Sequence, residues 1–326
     1  MKLKVVYWQQ GGERLKEIGN GICPSNSVLP HNRFFLPMTL QLKSLNGKTA
    51  LVTGASRGLG LEIARQLAAC GANLAILARD ADALAAAAAA VLKTVPAANV
   101  LDLPVDLASR EAIDLAVERI TAQFTSIDIL INNAAVQGPL GPLESVDFDA
   151  WRRVFEVDFF AAARLCQLVI PAMRKSGGGK IVNISGGGAA GPRPDVSAYA
   201  CAKTALVRLT ETLAEEVRDA KIDVNAVAPG PMNTRMLDET LAAGPRGASR
   251  EYAAALERAK SGGTPPQKAA ELVVFLASPA SDGITGRLIS AVWDDWPKVG
   301  EHREELAASD VYTLRRIVPK DRGMKW

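Results

Sequence analysis

The feature that most constrains the fold of this chain is a glycine-rich turn between a short apolar run and an amphipathic stretch. The residues from Thr49 to Gly60 read TALVTGASRGLG, and LEIARQLA follows with apolar residues at helical spacing. A strand, a glycine turn and a helix in this order point free backbone N–H groups at a phosphate. We expect Gly54, Gly58 and Gly60 to allow positive φ and a close approach of a ligand. Any tight crossover can use glycine, but this context favours nucleotide binding.

The spacing of this turn resembles one branch of the short-chain dehydrogenase/reductase family, whose phosphate loop reads TGxxxGxG. It differs from the commoner GxGxxG fingerprint. The resemblance covers about residues 45–293, and later motifs follow in the family's order. It implies a Rossmann-type α/β fold, a doubly wound parallel sheet in a single domain, and an NAD(P)-dependent oxidoreductase acting on CH–OH or C=O groups. In this sequence the implied phosphate-loop contacts are Gly54, Ser56, Arg57, Gly58, Leu59 and Gly60.

Composition argues against several other classes of protein. The 326 residues are 48% hydrophobic and 22% charged, which is ordinary for a globular protein. A net charge of +3 without a basic cluster gives no reason to expect a nucleic-acid partner. The four cysteines lack C-x-x-C spacing and the two histidines, His31 and His302, lie near the ends, so we expect no metal site. No apolar stretch approaches ~20 residues, so we expect no membrane span and a cytoplasmic enzyme.

The first part of the chain differs from the middle. Residues 1–44 mix glycines and three prolines with no sustained period. This pattern favours a flexible N-terminal extension, with an arm over a neighbouring subunit as the alternative. Met38 lies where a member of the family normally begins, which leaves open whether residues 1–37 belong to the native protein.

The catalytic domain is expected to span residues 45–296 and to be followed by a charged C-terminal tail, residues 297–326. The tail contains more apolar residues than a disordered segment needs, so we expect it to be ordered. We further expect it to fold over the substrate cleft or across a subunit boundary, and to bring Arg315 or Arg316 towards a ligand.

Between Leu45 and the tail, strand and helix patterns alternate, which predicts a parallel sheet with helices on both faces. The strands expected after the first are Asn73–Ala78, Val100–Val105, Ile127–Ile131, Lys180–Ile184, Asp223–Ala228 and Arg287–Val292. The expected helices include Asp82–Val95, Trp151–Lys175 and Ala198–Ala220. The segment Met236–Gly263 is expected to cover the site, and its charges and scarcity of aromatic residues favour a small, polar substrate.

The end of the second strand predicts which nicotinamide cofactor binds. An acidic residue there would accept hydrogen bonds from the adenosine ribose and select NAD(H). This chain instead has Ala78 followed by Arg79, and Arg57 lies inside the glycine turn. Two guanidinium groups match a 2′-phosphate, so NADP(H) is favoured over NAD(H). The alternative is that both arginines are simply solvated.

Three later motifs resemble cofactor-binding segments of the family. Asp106, followed by Leu107, matches the aspartate that contacts the adenine amino group. The run NNAA, with Asn133 second, matches the segment that closes the floor under the cofactor. The run PGPMNT resembles the segment that holds the nicotinamide carboxamide, which implies contacts from Pro229, Gly230, Met232 and Thr234.

Tyr199 and Lys203 lie one helical turn apart and are expected to share a face. A free tyrosine has a pKa near ~10, and a nearby ammonium ion would lower it. Tyr199 could then act as general acid/base on a substrate oxygen. The resemblance also implies that both residues contact the cofactor.

Two positions depart from the family pattern. The family serine that hydrogen-bonds the reacting carbonyl falls here on Gly186, with Ser185 one position away. Neighbouring strand residues face opposite ways, so either a bend brings Ser185 in or backbone N–H groups replace it. We expect Gly186→Ser to raise activity on a small ketone. The family asparagine falls on Asp158, whose carboxylate would oppose a tyrosinate, unless it faces away or is protonated.

Two hypotheses of different class follow. The first is an NADP(H)-dependent oxidoreductase that reduces a carbonyl to an alcohol, with Tyr199, Lys203, Ser185 and Asp158 as the catalytic set. The second is a cofactor-binding regulatory or scaffold protein with impaired chemistry, since Gly186 and Asp158 replace the family residues. The resemblance further implies a homodimer or homotetramer.

Overall fold

A parallel sheet of seven strands forms the centre of the computed structural model, which describes residues 44–247 and 249–326. The strands are β1 (Thr49–Thr53), β2 (Asn73–Ala78), β3 (Val100–Pro104), β4 (Ile129–Asn132), β5 (Gly179–Ile184), β6 (Ile222–Ala228) and β7 (Leu288–Ser290). Their spatial order is β3-β2-β1-β4-β5-β6-β7. The order reverses between β1 and β4, and ligands of such sheets bind beyond the carboxyl ends of the strands at this point. The expected N-terminal extension lies outside the described residues.

Helices cover both faces of this sheet. They are α1 (Gly58–Ala69), α2 (Ala81–Thr94), α3 (Arg110–Phe124), α4 (Phe148–Phe155), α5 (Ala161–Ser176), α6 (Ser197–Glu216), α7 (Arg235–Gly247), α8 (Ser249–Ser261), α9 (Pro266–Leu276) and α10 (Arg303–Ala307). Side chains alternate along β1: Ala50 and Val52 join the core under α1, α2 and α9, whereas Leu51 joins the core under α3, α5 and α6. The parallel sheet with helices on both faces that the sequence predicts is confirmed.

The helix expected over Trp151–Lys175 is interrupted. A π-helical turn, Glu156–Phe160, joins α4 to α5. Such turns insert a residue into a helix and are frequent at functional sites. Here the turn contains Asp158, whose side chain is buried and accepts a hydrogen bond from the backbone N–H of Val136 at 2.8 Å.

The C-terminal tail packs against the sheet and the α9 face of the core. Val299 and Leu306 of the tail are buried in that core, next to Trp296 at the end of the catalytic domain. The backbone N–H of Leu288 donates to the carbonyl of Tyr312 at 2.8 Å, so the tail pairs with the free edge of β7. This order agrees with the expectation from its apolar residues.

Arg287 joins the tail to the sheet, so we expect its replacement to lower the stability of the protein. Its guanidinium, in a residue only 8% exposed, donates to the carbonyls of Ser309 at 3.0 Å and Val311 at 2.7 Å, and also to that of Leu306. Arg287→Met leaves these acceptors unpaired. We expect the free energy of unfolding to fall by about 2–3 kcal/mol in urea titration.

Arg303→Met is the control for this prediction. The Arg303 side chain is exposed and donates to a single carbonyl, that of Ala280. Its replacement should cost less than about 1 kcal/mol. Equal losses for the two variants would show that the buried contacts of Arg287 do not hold the tail.

Candidate active site

A cleft of about 1650 Å³ opens at the carboxyl ends of the strands. It is lined by the glycine turn, by the loops after β2, β4, β5 and β6, and by α7 and α8. Every residue of the expected catalytic and cofactor-binding set except Asp158 lines it: Gly54, Ser56, Arg57, Gly58, Leu59, Gly60, Arg79, Asp106, Leu107, Asn133, Ser185, Tyr199, Lys203, Pro229, Gly230, Met232 and Thr234. Segments more than 170 residues apart in sequence therefore meet in one cleft.

The three glycines of the turn serve different purposes. Gly54 (φ +65°) and Gly58 (φ +55°) occupy the left-handed region, as expected. Gly60 does not, because it lies beyond the first residue of α1, where the backbone is helical; a Cβ there would stand 2.3 Å from the carbonyl oxygen of Gly54. The expectation of positive φ at Gly60 is therefore wrong. Close packing of helix against turn requires glycine there.

Asn133 shapes this turn from the end of β4. Its amide nitrogen donates to the carbonyl of Thr53 at 2.9 Å and to that of Gly54 at 3.2 Å. In return, the Thr53 hydroxyl accepts from the backbone N–H groups of Asn133 at 2.9 Å and Ala134 at 3.0 Å. These bonds tie β1 to β4 where the strand order reverses.

Charged side chains line the part of the cleft beside β2. Arg57 and Arg79 both line it, and the strand ends in Ala78 instead of an acid. Burial pushes the pKa of Asp106 up, but the Ala108 N–H at 3.1 Å and the Arg153 guanidinium at 3.0 Å outweigh it and hold that pKa below its ordinary value. Arg153 was not a candidate from the sequence, because only folding brings α4 beside β3.

The catalytic candidates meet at the start of α6. Lys203 donates from Nζ to the carbonyl of Ile184 at 3.0 Å and lies 3.6 Å from Oδ2 of Asp158. The Lys203 and Asp158 side chains are 1% and 0% exposed. The Lys203 nitrogen lies 5.6 Å from the centroid of the Tyr199 ring. Asp158 therefore faces the lysine and lies behind it, out of the cleft.

Burial dominates the protonation of this cluster. It raises the pKa of Asp158 to about 6, against the opposing effect of Lys203, and it lowers the pKa of Lys203. Burial also raises the pKa of Tyr199, and the Asp158 carboxylate acts in the same direction, while Arg193 opposes it. The expected net lowering of the Tyr199 pKa by Lys203 is therefore wrong for this arrangement, because burial of the phenol raises that pKa and the Asp158 carboxylate raises it further.

The tyrosine hydroxyl occupies the space beside Gly186. A Cβ at Gly186 would stand 2.1 Å from the Tyr199 hydroxyl oxygen. The neighbouring Ser185 is buried, and within residues 44–247 and 249–326 its hydroxyl has no hydrogen-bond partner. A serine at position 186 cannot simply be added, so the expectation that Gly186→Ser raises activity is not supported by this geometry.

The sequence did not single out several residues that line the cleft. Arg193, in the loop before α6, forms an ion pair with Glu251 of α8 at 2.7 Å. Gln137 and Thr240 are also buried at the cleft and share a 2.8 Å hydrogen bond.

No residue of the described tail lines the cleft, and Arg315 instead pairs with Asp321 at 2.6 Å. The expected approach of Arg315 or Arg316 to a ligand over this cleft is therefore wrong, because tail contacts hold Arg315.

Comparisons with known proteins agree with this architecture. The profile of the short chain dehydrogenase family matches residues 48–243. Cis-4-hydroxycyclohexanecarboxylate dehydrogenase of Sinomonas cyclohexanicum is 33% identical over 247 residues, which is 74% of this chain and 94% of that protein. The chain belongs to the short-chain dehydrogenase/reductase family.

Two solved structures show the same fold with different cofactors. NAD⁺-bound xylitol dehydrogenase matches with a TM-score of 0.69 at 28% identity, covering 76% of this chain and 98% of that one. L-sorbose reductase from Gluconobacter frateurii, complexed with NADPH and L-sorbose, matches with a TM-score of 0.69 at 30% identity, covering 77% and 97%. The protein is thus an oxidoreductase of a family that acts on alcohol and carbonyl groups with NAD(P).

The described parts of the chain contain neither a membrane-spanning helix nor a metal-binding cluster. No helix in residues 44–247 or 249–326 is long and apolar enough to cross a membrane. Within the same ranges, no cluster of three His, Cys, Asp or Glu side chains could hold a metal ion.

Gly186 provides a direct test of the tyrosine position. Gly186→Ala should lower the free energy of unfolding by about 1–3 kcal/mol, since its Cβ would meet the Tyr199 hydroxyl. Gly187→Ala is the matched control, because its Cβ would come no closer than 3.5 Å to a neighbour, the Arg193 guanidinium. If urea titration shows that both variants tolerate the methyl group equally, Tyr199 does not occupy this space.

Proposed function

We propose that this protein is an NADP(H)-dependent oxidoreductase that reduces the carbonyl of a small, polar substrate to an alcohol. The observation that carries the proposal is the composition of the cleft. It brings Tyr199 and Lys203 together with Arg57 and Arg79, and β2 ends without an acidic residue. A buried phenol suits proton donation, and two guanidiniums suit a phosphate monoester.

The glycine turn fits a dinucleotide. Within 4 Å no atom would meet a Cβ on Gly58, so this side of the turn is open, and the first turn of α1 begins there. Free N–H groups at a helix start attract phosphate.

Each part of the dinucleotide has its own proposed contacts. The pyrophosphate would be held by Gly54, Ser56, Leu59 and Gly60, and the 2′-phosphate by Arg57 and Arg79. Asp106, Leu107 and Asn133 would contact the adenosine half, and the nicotinamide half would meet Tyr199, Lys203, Pro229, Gly230, Met232 and Thr234. When bound, the reduced nicotinamide supplies the hydride.

Tyr199 has the properties of the proton donor in this proposal. Burial and the Asp158 carboxylate raise the pKa of its hydroxyl, so it stays protonated at neutral pH. Its proton would pass to the substrate oxygen, and the Lys203 cation would stabilise the resulting phenolate. The unpartnered Ser185 hydroxyl lines the same cleft and would hold the carbonyl oxygen.

The substrate is proposed to be polar because charged residues of α7 and α8 line the cleft: Asp238, Glu239, Glu251 and Arg258. Two similar structures are named for xylitol and L-sorbose, which are polyhydroxylated. A relative is named for a hydroxylated carboxylate. A small molecule rich in hydroxyl groups is therefore proposed.

A second candidate function is a cofactor-binding regulatory or scaffold protein. It is favoured by the Tyr199 hydroxyl, which occupies the space that a donor side chain at position 186 would need. NADPH binding with no carbonyl reduced across a broad panel would support this candidate.

We also propose that the protein forms a homodimer or homotetramer through α4, α5 and α6. An aromatic row on the first two helices supports this: Phe148 stacks on Trp151 at 5.7 Å and is 63% exposed. Phe160, at the end of the π turn, is 52% exposed. Exposed aromatic side chains at both ends of this row favour burial against another copy.

The proposed contact between Arg79 and the 2′-phosphate predicts that replacing Arg79 changes the preference for NADPH over NADH. Arg79→Ala should weaken NADPH binding about tenfold or more, the effect of one charge-assisted contact, and change NADH binding by less than about twofold. Isothermal titration calorimetry measures both. Arg110→Ala is a control, because this arginine is exposed and absent from the cleft lining. Equal weakening of the two cofactors would contradict the proposed NADP(H) selection.

Tyr199 and Lys203 predict different kinetic effects. Tyr199→Phe should reduce turnover at least ~10²-fold on any carbonyl found in an NADPH-depletion panel, while NADPH affinity barely changes. Lys203→Met should impair both turnover and affinity. Tyr312→Phe, which alters a tail tyrosine outside the cleft, serves as control. A Tyr199→Phe variant as active as the parent would refute the proton-donor role.

A further inference from the structure

Arg193 holds a second cationic group against the catalytic tyrosine. Its Cζ atom lies 5.6 Å from the centroid of the Tyr199 ring, the same distance as Nζ of Lys203. Its Nη1 also donates to the carbonyl of Gly187 at 3.4 Å. A Cβ on Gly188 would stand 2.6 Å from the Ala200 Cβ and 3.2 Å from the Arg193 Cβ, so a glycine here lets the loop pack between α6 and Arg193.

The same guanidinium binds α8. Nε and Nη2 of Arg193 each donate to Glu251 at 2.7 Å, in a bidentate pair. The two side chains are 22% and 17% exposed, so the pair is largely shielded from water. Bidentate arginine–carboxylate pairs are strong and geometrically specific. The position of α8 is thereby linked to the group that touches the tyrosine ring.

The charges around the phenol come from four elements. Asp158 lies on the π turn, Lys203 on α6, Arg193 on the preceding loop and Glu251 on α8. Burial raises the pKa of Tyr199 most, Asp158 acts in the same direction, and Arg193 opposes both by lowering it. The hydrogen bonds from Arg193 hold the pKa of Glu251 below its ordinary value, so Glu251 is ionised at neutral pH and offsets the guanidinium charge.

We propose that Arg193 is a positioning residue for Tyr199, and that its ion pair with Glu251 makes the charge beside the phenol depend on the docking of α8. This inference rests on the proposed role of Tyr199. With α8 docked, Glu251 offsets Arg193 and the phenol keeps its proton, ready for donation. With α8 displaced, the unpaired guanidinium favours the phenolate. Closure of α8 over a substrate therefore prepares the acid.

The test measures the ionisation of Tyr199 itself. The chain has four tyrosines, at positions 7, 199, 252 and 312, so uniform 3-fluorotyrosine labelling gives a simple ¹⁹F NMR spectrum. Fluorination makes the phenol more acidic and so lowers the pH at which it titrates. The Tyr199→Phe variant identifies the resonance. Arg193→Met should raise the titration midpoint by about half a pH unit or more, and Glu251→Gln should lower it by a similar amount.

Opposite signs distinguish electrostatics from packing. If the pair served only packing, both variants would shift the titration midpoint in the same direction, or neither variant would shift it. Arg193→Lys keeps the charge and should restore most of the parent value. If Arg193→Met does not fold, Glu251→Gln and Arg193→Lys still decide the question.

Another ion pair of the chain is a matched control. Arg164 donates to Asp114 through two hydrogen bonds of 2.7 Å, and its side chain is also 22% exposed, but it joins α3 to α5. Arg164→Met and Asp114→Asn should leave the Tyr199 midpoint unchanged. Shifts of the same sign, or none, for Arg193→Met and Glu251→Gln would overturn the inference.

The titration needs neither substrate nor cofactor, so its outcome is separate from that of the proposed function. Carbonyl reduction without opposite shifts would overturn the role of Arg193 alone. Opposite shifts with no reduction across the carbonyl panel would overturn the proposed function and leave the electrostatic link intact.

Discussion

The burial of the Lys203 charge is the constraint on which the catalytic end of the cleft depends. An ammonium group that is 1% exposed is unfavourable unless its charge and donors are compensated. The compensation comes from the Ile184 carbonyl on β5 and from Asp158 on the π turn. These partners fix α6 against both the sheet and the α4–α5 pair. Burial raises the pKa of the Tyr199 phenol and the same carboxylate raises it further, so the buried pair contributes to both the geometry and the acidity of the site.

The other end of the cleft is organised by backbone approach instead of buried charge. Thr53 and Asn133 exchange hydrogen bonds across β1 and β4, and Gly60 lets the first helix contact the turn. This produces a rigid floor with open N–H groups. In the proposed function, the side chains of Arg57 and Arg79 would then distinguish one dinucleotide from another. The proposed cofactor selection and proton donation would thus depend on separate parts of the sheet edge.

Most of the architecture was predictable because it depends on local patterns. The strand periods, the glycine turn and the spacing of Tyr199 and Lys203 act within a few residues of chain. The sequence could not show how charges from distant elements combine. The raised pKa of Tyr199, the pairing of Arg193 with Glu251 and the contact of the phenol with Gly186 all follow from tertiary packing. The π turn was missed because helical periodicity alone does not register a single inserted residue.

The pairing of the tail with β7 has a consequence for how the chain matures. β7 is the last strand of the sheet, and an uncovered strand edge is a template for pairing with other chains. On that edge, the backbone N–H of Leu288 donates a hydrogen bond to the carbonyl of Tyr312. During synthesis the strands emerge before this cover does. The nascent sheet therefore carries an open β7 edge until the segment around Tyr312 has emerged and folded back onto it, and misassembly through that edge is possible during this interval.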